Sequence, residues 1–151
     1  MKQIARLLSA FLLAVIVSPA LAADPVYPPG VRIGMVPLVG LASARSFTGF
    51  ETEDHTVRVL VTELPAAAYS EVENTFKAGV PTNAGVKPET LETTAGKAYY
   101  TVETGRDGTT PVRRYSMILS GGTFSGFVAM QVPENAARIY SDDAVRQMFA
   151  S

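Results

Sequence analysis

Apolar and polar positions divide the chain into an apolar leader and a series of short periodic segments. In the leader, two basic residues precede an apolar run, Leu7–Val17, and a small-residue Ala-x-Ala pattern ends at Ala22. This order is typical of a cleavable secretory signal peptide. The run is also shorter than the roughly 20 residues of a membrane-spanning helix. We therefore predict a signal peptide over residues 1–22, cut between Ala22 and Ala23; an uncleaved anchor is the alternative.

Alternation of apolar and polar residues predicts strands in the first part of the mature chain. Residues 23–30 are rich in proline, which disfavours helix and sheet, so we expect an extended lead-in there. Period-two segments and a short polar connection follow. The predicted strands are Val31–Val36, Ser46–Glu51 and Thr56–Thr62, with a hairpin connection at Glu53–His55.

A helical period replaces the alternation after Pro65. Tyr69, Val72 and Phe76 fall on one stripe, and Gly79 stands where a helix commonly ends. The spacing predicts a helix over Pro65–Ala78 that lies on the sheet.

The second half returns to period two. Its last strand has apolar residues on both faces, which is typical of a central, covered strand. Turn residues predict an open loop at Gly105–Pro111 and a tight hairpin at Gly121–Gly122. The predicted strands are Val86–Thr93, Lys97–Thr104, Val112–Ser120 and Phe124–Val132.

A closing helix is predicted after Ser141, which we assign as its N-cap, with Asp142 and Asp143 in the first turn. No C-cap residue follows Phe149, so we expect either an early stop of the chain or a fraying helix. Together the segments predict one α+β domain over residues 31–151. It would contain an antiparallel sheet of about six to seven strands covered by helices.

Composition narrows the classes of function. The 151 residues contain no cysteine, which excludes a thiol nucleophile, a thiolate metal site and a lipid-bearing cysteine. The net charge of −1 becomes more negative once the basic leader is removed, and no basic tract remains. We therefore expect no nucleic-acid partner, no stable membrane insertion after cleavage, no cofactor, and a periplasmic or secreted location.

Several stretches resemble a group of uncharacterised secreted bacterial proteins, and the order of elements resembles the PsbP-like fold, an α/β/α sandwich. That resemblance implies a binding or assembly factor, since members of the wider superfamily are mostly of that kind, and it supplies no catalytic motif. The stretches are Tyr27–Pro37, Phe47–Glu51, Val61–Tyr69, Gly96–Ala98, Gln131–Glu134 and Tyr140–Ala144.

Candidate enzymatic residues are few. The single histidine, His55, stands among Glu51, Glu53 and Asp54, but the spacing matches no metal-ligand motif, so an exposed turn is favoured. Ser125 comes one position late for a nucleophile elbow, so a hairpin strand is favoured there. A glycosidase pair at Asp142 and Asp143 is less favoured than a charged helix start, and an anion site at Gly121–Gly122 lacks the residues that would follow it.

The strongest candidate for binding is an arginine pair near tyrosines. Arg113 and Arg114 stand in one predicted strand, and Tyr99 and Tyr100 stand in the neighbouring one. Because a strand alternates its faces, the two arginines cannot share one pocket. One of them could line a partner site beside a tyrosine, whereas ordinary cross-strand pairing is the alternative.

The leading hypothesis is a non-enzymatic periplasmic protein that binds a protein or a cell-envelope component. A small secreted hydrolase or metal-dependent enzyme would depend on His55. A small-molecule carrier would need an enclosed apolar cavity between sheet and helix.

Overall fold

One antiparallel sheet organises the domain in this computed structural model, which describes residues 23–79 and 86–151. The predicted signal peptide, with Ala22 of its cleavage site, lies outside the described residues. Within the described part, the sheet has seven strands in the order β1-β2-β3-β7-β6-β5-β4. Their bounds are β1 Ala42–Ser43, β2 Gly49–Glu51, β3 Arg58–Pro65, β4 Glu89–Thr93, β5 Gly96–Asp107, β6 Thr110–Ser120 and β7 Phe124–Pro133.

Two α-helices accompany the sheet within the same described residues: α1 at Ala67–Lys77 and α2 at Asp142–Ala150. A short 3₁₀ turn at Glu134–Ala136 joins β7 to the segment before α2. The chain therefore has an α+β fold in which strands precede and separate the helices rather than alternate with them.

β7 lies between β6 and β3, which confirms the prediction that it is a central strand. β5, β6 and β7 follow each other as hairpins, whereas β3 joins β7 from the other end of the chain, with Arg58 opposite Gln131 and Pro65 opposite Phe124. The first strands thus extend a sheet whose middle is made by the last one.

The inner face of the sheet carries the hydrophobic core. Alternate residues of β3 and β7, including Val59, Val61 and Val128, are fully buried there. The face is covered by α2 and by the irregular segment that contains Ile33 and Met35, both in the core.

The outer face is covered only in part. α1 follows the predicted helix closely, but none of its residues is buried. Ser125 is buried on this face of β7, whereas Phe127, Ala129 and Gln131 are only partly buried. The expectation that β7 is covered on both faces is therefore wrong for its second half.

The predicted strand Val31–Val36 is wrong. In this segment Met35 forms one isolated bridge with Val26, with 2.8 Å from the Val26 amide nitrogen to the Met35 oxygen. The amides of the segment go to irregular partners: the Arg32 amide donates to a Glu63 carboxylate oxygen at 2.7 Å and the Val36 amide to the Ser151 hydroxyl oxygen at 2.8 Å. The segment therefore does not pair as a strand, and Ile33 and Met35 pack in the core. Pro28 is buried, so the expected lead-in is already part of the packed domain.

The predicted open loop Gly105–Pro111 is also wrong. β5 continues to Asp107 and β6 starts at Thr110, with Gly105 opposite Val112. Only Gly108 and Thr109 connect the strands, and Gly108 has a φ of 59°, which glycine adopts without strain. The turn residues of this stretch therefore wrongly predict a loop, whereas β5 and β6 stay paired almost to the tip of their hairpin.

The N-cap predicted at Ser141 is confirmed, since its hydroxyl oxygen accepts a hydrogen bond from the Ala144 amide at 3.2 Å. The C-terminal end of α2 is anchored, contrary to the expectation of fraying. The Ser151 hydroxyl accepts from the Val36 amide at 2.8 Å, and the Thr94 amide donates to the Ala150 oxygen at 3.1 Å.

Candidate functional site

The residues of the predicted arginine–tyrosine site do not form one site. Arg113 lies on the inner face, where its guanidinium donates to Asp142 of α2. The Tyr115 hydroxyl donates to the same carboxylate at 2.6 Å. These contacts attach the start of α2 to β6, so Arg113 has a structural partner in the described fold.

Tyr100 lies on the inner face as well, edge-on to Phe149 at 5.7 Å between ring centroids. Its hydroxyl and Arg113 Nε are buried without a hydrogen-bond partner among the described residues. Burial raises the pKa of Tyr100 and raises that of Tyr115 to about 12, the latter helped by the hydrogen bond to Asp142. Both phenols are therefore neutral at physiological pH.

Arg114 and Tyr99 lie on the outer face. Arg114 leans towards the tip of the β5–β6 hairpin, donating from Nη2 to the Arg106 oxygen at 2.9 Å and from Nε to Gln131 at 3.3 Å. Tyr99 packs under α1, with ring centroids 4.9 Å from Phe76 and 5.6 Å from Tyr69. The alternation of the two arginines across the sheet is thus as the sequence predicts.

His55 lies in the exposed turn between β2 and β3. Its Nδ1 is 2.7 Å from a Glu51 carboxylate oxygen, and its side chain is 61% exposed. Asp54 organises this turn: it accepts hydrogen bonds from Thr52 and Thr56, which lower the pKa of its carboxyl group. In the part of the chain that the structure describes, no three residues among His, Cys, Asp and Glu are grouped so that they could hold a metal ion.

Ser125 is buried at the start of α1. Its hydroxyl donates to the Pro65 oxygen at 2.9 Å and accepts from the Tyr69 amide at 3.0 Å. This serine therefore supplies a hydrogen bond to the first turn of α1, where helix amides lack partners of their own.

A groove of about 420 Å³, which the sequence does not predict, lies between α1 and the outer face. The volume falls within the range of ligand pockets. Apart from Pro88, its walls belong to α1 and to strands of the sheet, and they are mainly apolar. They include Leu64 of β3, Ala68 and Val72 of α1, Tyr99 of β5, Ile118 of β6 and Phe127 of β7.

Two carboxylates flank this apolar surface: Glu71 of α1 and Glu103 of β5. Neither makes an ion pair among the described residues. Arg114 stands directly opposite Glu103 in the β5–β6 register, yet it bonds elsewhere. The sequence could have indicated Glu103 by its place on the outer face, but not the direction that Arg114 takes.

Wider depressions surround the β2–β3 connection, with volumes of about 610 and 880 Å³. They are lined by polar residues of that connection, including Thr52 and Glu53, together with residues around β1 and after β7. The groove beside α1 is therefore the better candidate for binding, because helix and strands hold its walls in place.

Comparison with known proteins adds information on the fold. No family model matches the chain, and no curated protein matches it either. A crystal structure of a Bacteroides thetaiotaomicron VPI-5482 protein, at 1.50 Å resolution, is similar to it with a TM-score of 0.51 and 14% sequence identity. The match covers 78% of this chain and 43% of that one, so this chain corresponds to less than half of that protein.

The described residues thus form an α+β fold with a seven-stranded antiparallel sheet. The similar structure supports this architecture. Among the same residues, no helix is long and apolar enough to cross a membrane.

Proposed function

We propose that this chain is a non-enzymatic periplasmic binding protein with a PsbP-like fold, which holds a protein partner on the outer face of its sheet beside α1. The half-covered outer face is the observation that carries the proposal. Leu64, Val72 and Phe127 line the groove there and are only partly buried. Soluble domains seldom leave contiguous apolar surface uncovered unless it meets a partner.

The secretory pattern of residues 1–22 supports the periplasmic location, and the lack of cysteine fits a domain that is held together by packing alone. The PsbP-like assignment is supported by the order of strands and helices and by the stretches that resemble secreted bacterial proteins.

The alternatives find less support. A hydrolase or metal enzyme would rely on His55. This residue lies in an exposed turn, and its close carboxylate is that of Glu51. A small-molecule carrier would need an enclosed cavity, whereas Leu64, Val72 and Phe127 of the groove are partly exposed to solvent.

The test is site-specific photocrosslinking in the source cells. A photoreactive residue replaces Val72 in the groove, and the matched control replaces Val39, which is 79% exposed and lies on the connection before β1. We expect a discrete crosslinked protein from position 72 and none from position 39. In the same assay, His55→Ala should leave the crosslink unchanged.

The proposal is wrong if position 72 yields no crosslinked protein, or if both positions yield the same set. Loss of the crosslink in His55→Ala would favour a role for the β2–β3 turn instead.

A further inference from the structure

We propose that the partner inserts a basic side chain, flanked by apolar residues, into the groove beside α1. The ligand of the groove is then a cationic, apolar peptide segment. This inference rests on the proposed function and adds the chemistry of the partner.

The two walls of the groove each provide one carboxylate. Glu71 comes from α1 and Glu103 from β5, and both belong to the lining of the groove. Val72 and Phe127 belong to the same lining and offer contact to an aliphatic stem. A lysine or arginine has this combination of a long apolar stem and a charged head.

Among the described residues, the carboxylate of Glu103 makes no ion pair. Arg114, directly across the strand pair, is held by the Arg106 oxygen at 2.9 Å and by Gln131. Gln131 in turn donates to Asp107 at 3.0 Å. This chain of hydrogen bonds keeps the arginine at the hairpin tip and leaves the carboxylate available.

Docking of a partner would remove water from both carboxylates. Burial of an ionised carboxylate without a compensating charge is unfavourable, so a neutral or acidic segment is penalised at this position. A basic side chain compensates the charge and gains the apolar contact as well. The groove therefore selects for positive charge as well as for apolar character.

A peptide, rather than a free amine, is favoured by the surface next to the groove. The outer face continues past the groove through Leu60 of β3 and Ala129 of β7, which lie opposite each other in the β3–β7 pair. Leu60 is 43% exposed. Apolar residues on either side of the basic one can pack there. A small amine would leave this surface uncovered.

The experiment measures binding to the purified full chain by calorimetry. The probe is the peptide acetyl-Ala-Leu-Lys-Leu-Ala-amide. Its matched forms carry glutamate or norleucine at the centre, and n-hexylamine serves as the free-amine arm. We expect the lysine peptide to bind at least about tenfold more tightly than either matched form, and this preference should shrink as salt is raised.

Variants assign the effect to the groove. Glu71→Gln/Glu103→Gln keeps the shape of both side chains and should weaken binding of the lysine peptide by about tenfold or more. The control, Glu53→Gln/Glu134→Gln, removes the same charge from two exposed acids outside the groove and should leave binding unchanged. Circular dichroism of both variants checks that the fold is retained.

The inference is overturned if the lysine peptide does not bind the unaltered chain, if all three peptides bind alike, or if the groove variant binds as the control does. Equal affinity for n-hexylamine overturns the peptide assignment. The crosslinking experiment separates this inference from the proposed function. A crosslinked protein at position 72 supports the proposed function even if the peptide does not bind, whereas the absence of any crosslinked protein there contradicts the proposed function.

Discussion

Gly49 occupies the most constrained position among the glycines of the described residues. A Cβ atom built on it would lie 1.8 Å from the Val59 carbonyl oxygen, which is backbone and cannot move aside. Its φ of 148° is also one that residues with side chains seldom adopt. The close pairing of β2 on β3 therefore requires glycine here.

We expect Gly49→Ala to lower the free energy of unfolding by more than about 3 kcal/mol, because β2 must move away from β3. Gly108→Ala is the control: its φ of 59° is left-handed too, but nothing lies within 4 Å of the added Cβ. The control should cost about 1 kcal/mol from strain alone. Urea titrations of both variants measure the difference, and equal losses would show that the clash is absent.

The sequence predicts the roles and orientations of some single residues but not the residues that they contact. Ser141 as an N-cap and the opposite faces of Arg113 and Arg114 follow from local rules on helix starts and strand alternation. The partners of these residues do not follow. Asp142 meets Arg113 only because α2 folds back over β6, and this contact depends on the tertiary arrangement.

Among the secondary-structure elements, α1 depends on a side chain from β7. Ser125 accepts from the Tyr69 amide and donates to the Pro65 oxygen, whereas the residue before the helix, Ala66, offers no capping side chain. The first turn of α1 is therefore tied to β7 through one buried hydroxyl, while its later turns pack on Tyr99 of β5.

Ser125→Ala should destabilise the protein by about 1–3 kcal/mol, since it removes the hydrogen-bond partner of the partly buried Tyr69 amide. Amide hydrogen exchange of the first turn of α1 should therefore speed up more than that of β7. The control is Ser120→Ala, which alters the exposed serine opposite Ser125 in the same hairpin. Uniform acceleration over the whole sheet would contradict a local role for Ser125.

The period of apolar residues predicts most of the regular elements, but it does not by itself decide whether a segment forms a strand. The stripe of α1 and the alternation of β3, β6 and β7 are present because each buries one side on the sheet or core. Segment 31–36 alternates as well, but its Arg32 and Val36 amides bond to the side chains of Glu63 and Ser151 rather than to a neighbouring strand. The ends of β5 and β6 were missed because their pairing with each other outweighs the turn preference of single residues.

At the scale of the whole molecule, neutral tyrosines in the core connect stability to alkaline pH. Tyr115 is 1% exposed, and burial together with its hydrogen bond to Asp142 raises its pKa from 10.0 to about 12. The unfolded chain then loses this proton at lower pH than the folded chain. The contribution of Tyr115 to the free energy of unfolding is fully present below pH 10 and is lost as the pH rises towards 12.

We expect the free energy of unfolding to drop by on the order of 2 kcal/mol across this window from Tyr115 alone. Tyr115→Phe should be less stable at neutral pH, because the bond to Asp142 is lost, but its decline above pH 10 should be shallower. Tyr27→Phe, which alters a 60% exposed ring, should keep the slope of the unaltered chain. Denaturant titrations from pH 8 to 12 test the slopes; parallel curves would refute the assignment.

The sequence predicts the class of the whole molecule but not its candidate site. Counting periodic segments leads to an α+β fold with an antiparallel sheet, and this is what the described residues form. The groove depends on how far α1 reaches across the outer face and on where Arg114 turns. Both are outcomes of packing between distant segments, which periodicity does not encode.

The place of β7 between β3 and β6 has a consequence for the order in which the domain can form. β5, β6 and β7 can assemble as successive hairpins, but β3 must wait for β7 before a loop of roughly sixty residues closes. Until β3 and β7 have paired, the β3 edge that carries Val59 and Val61 therefore remains open. The interval before this pairing is the one in which the edge is most exposed to aggregation.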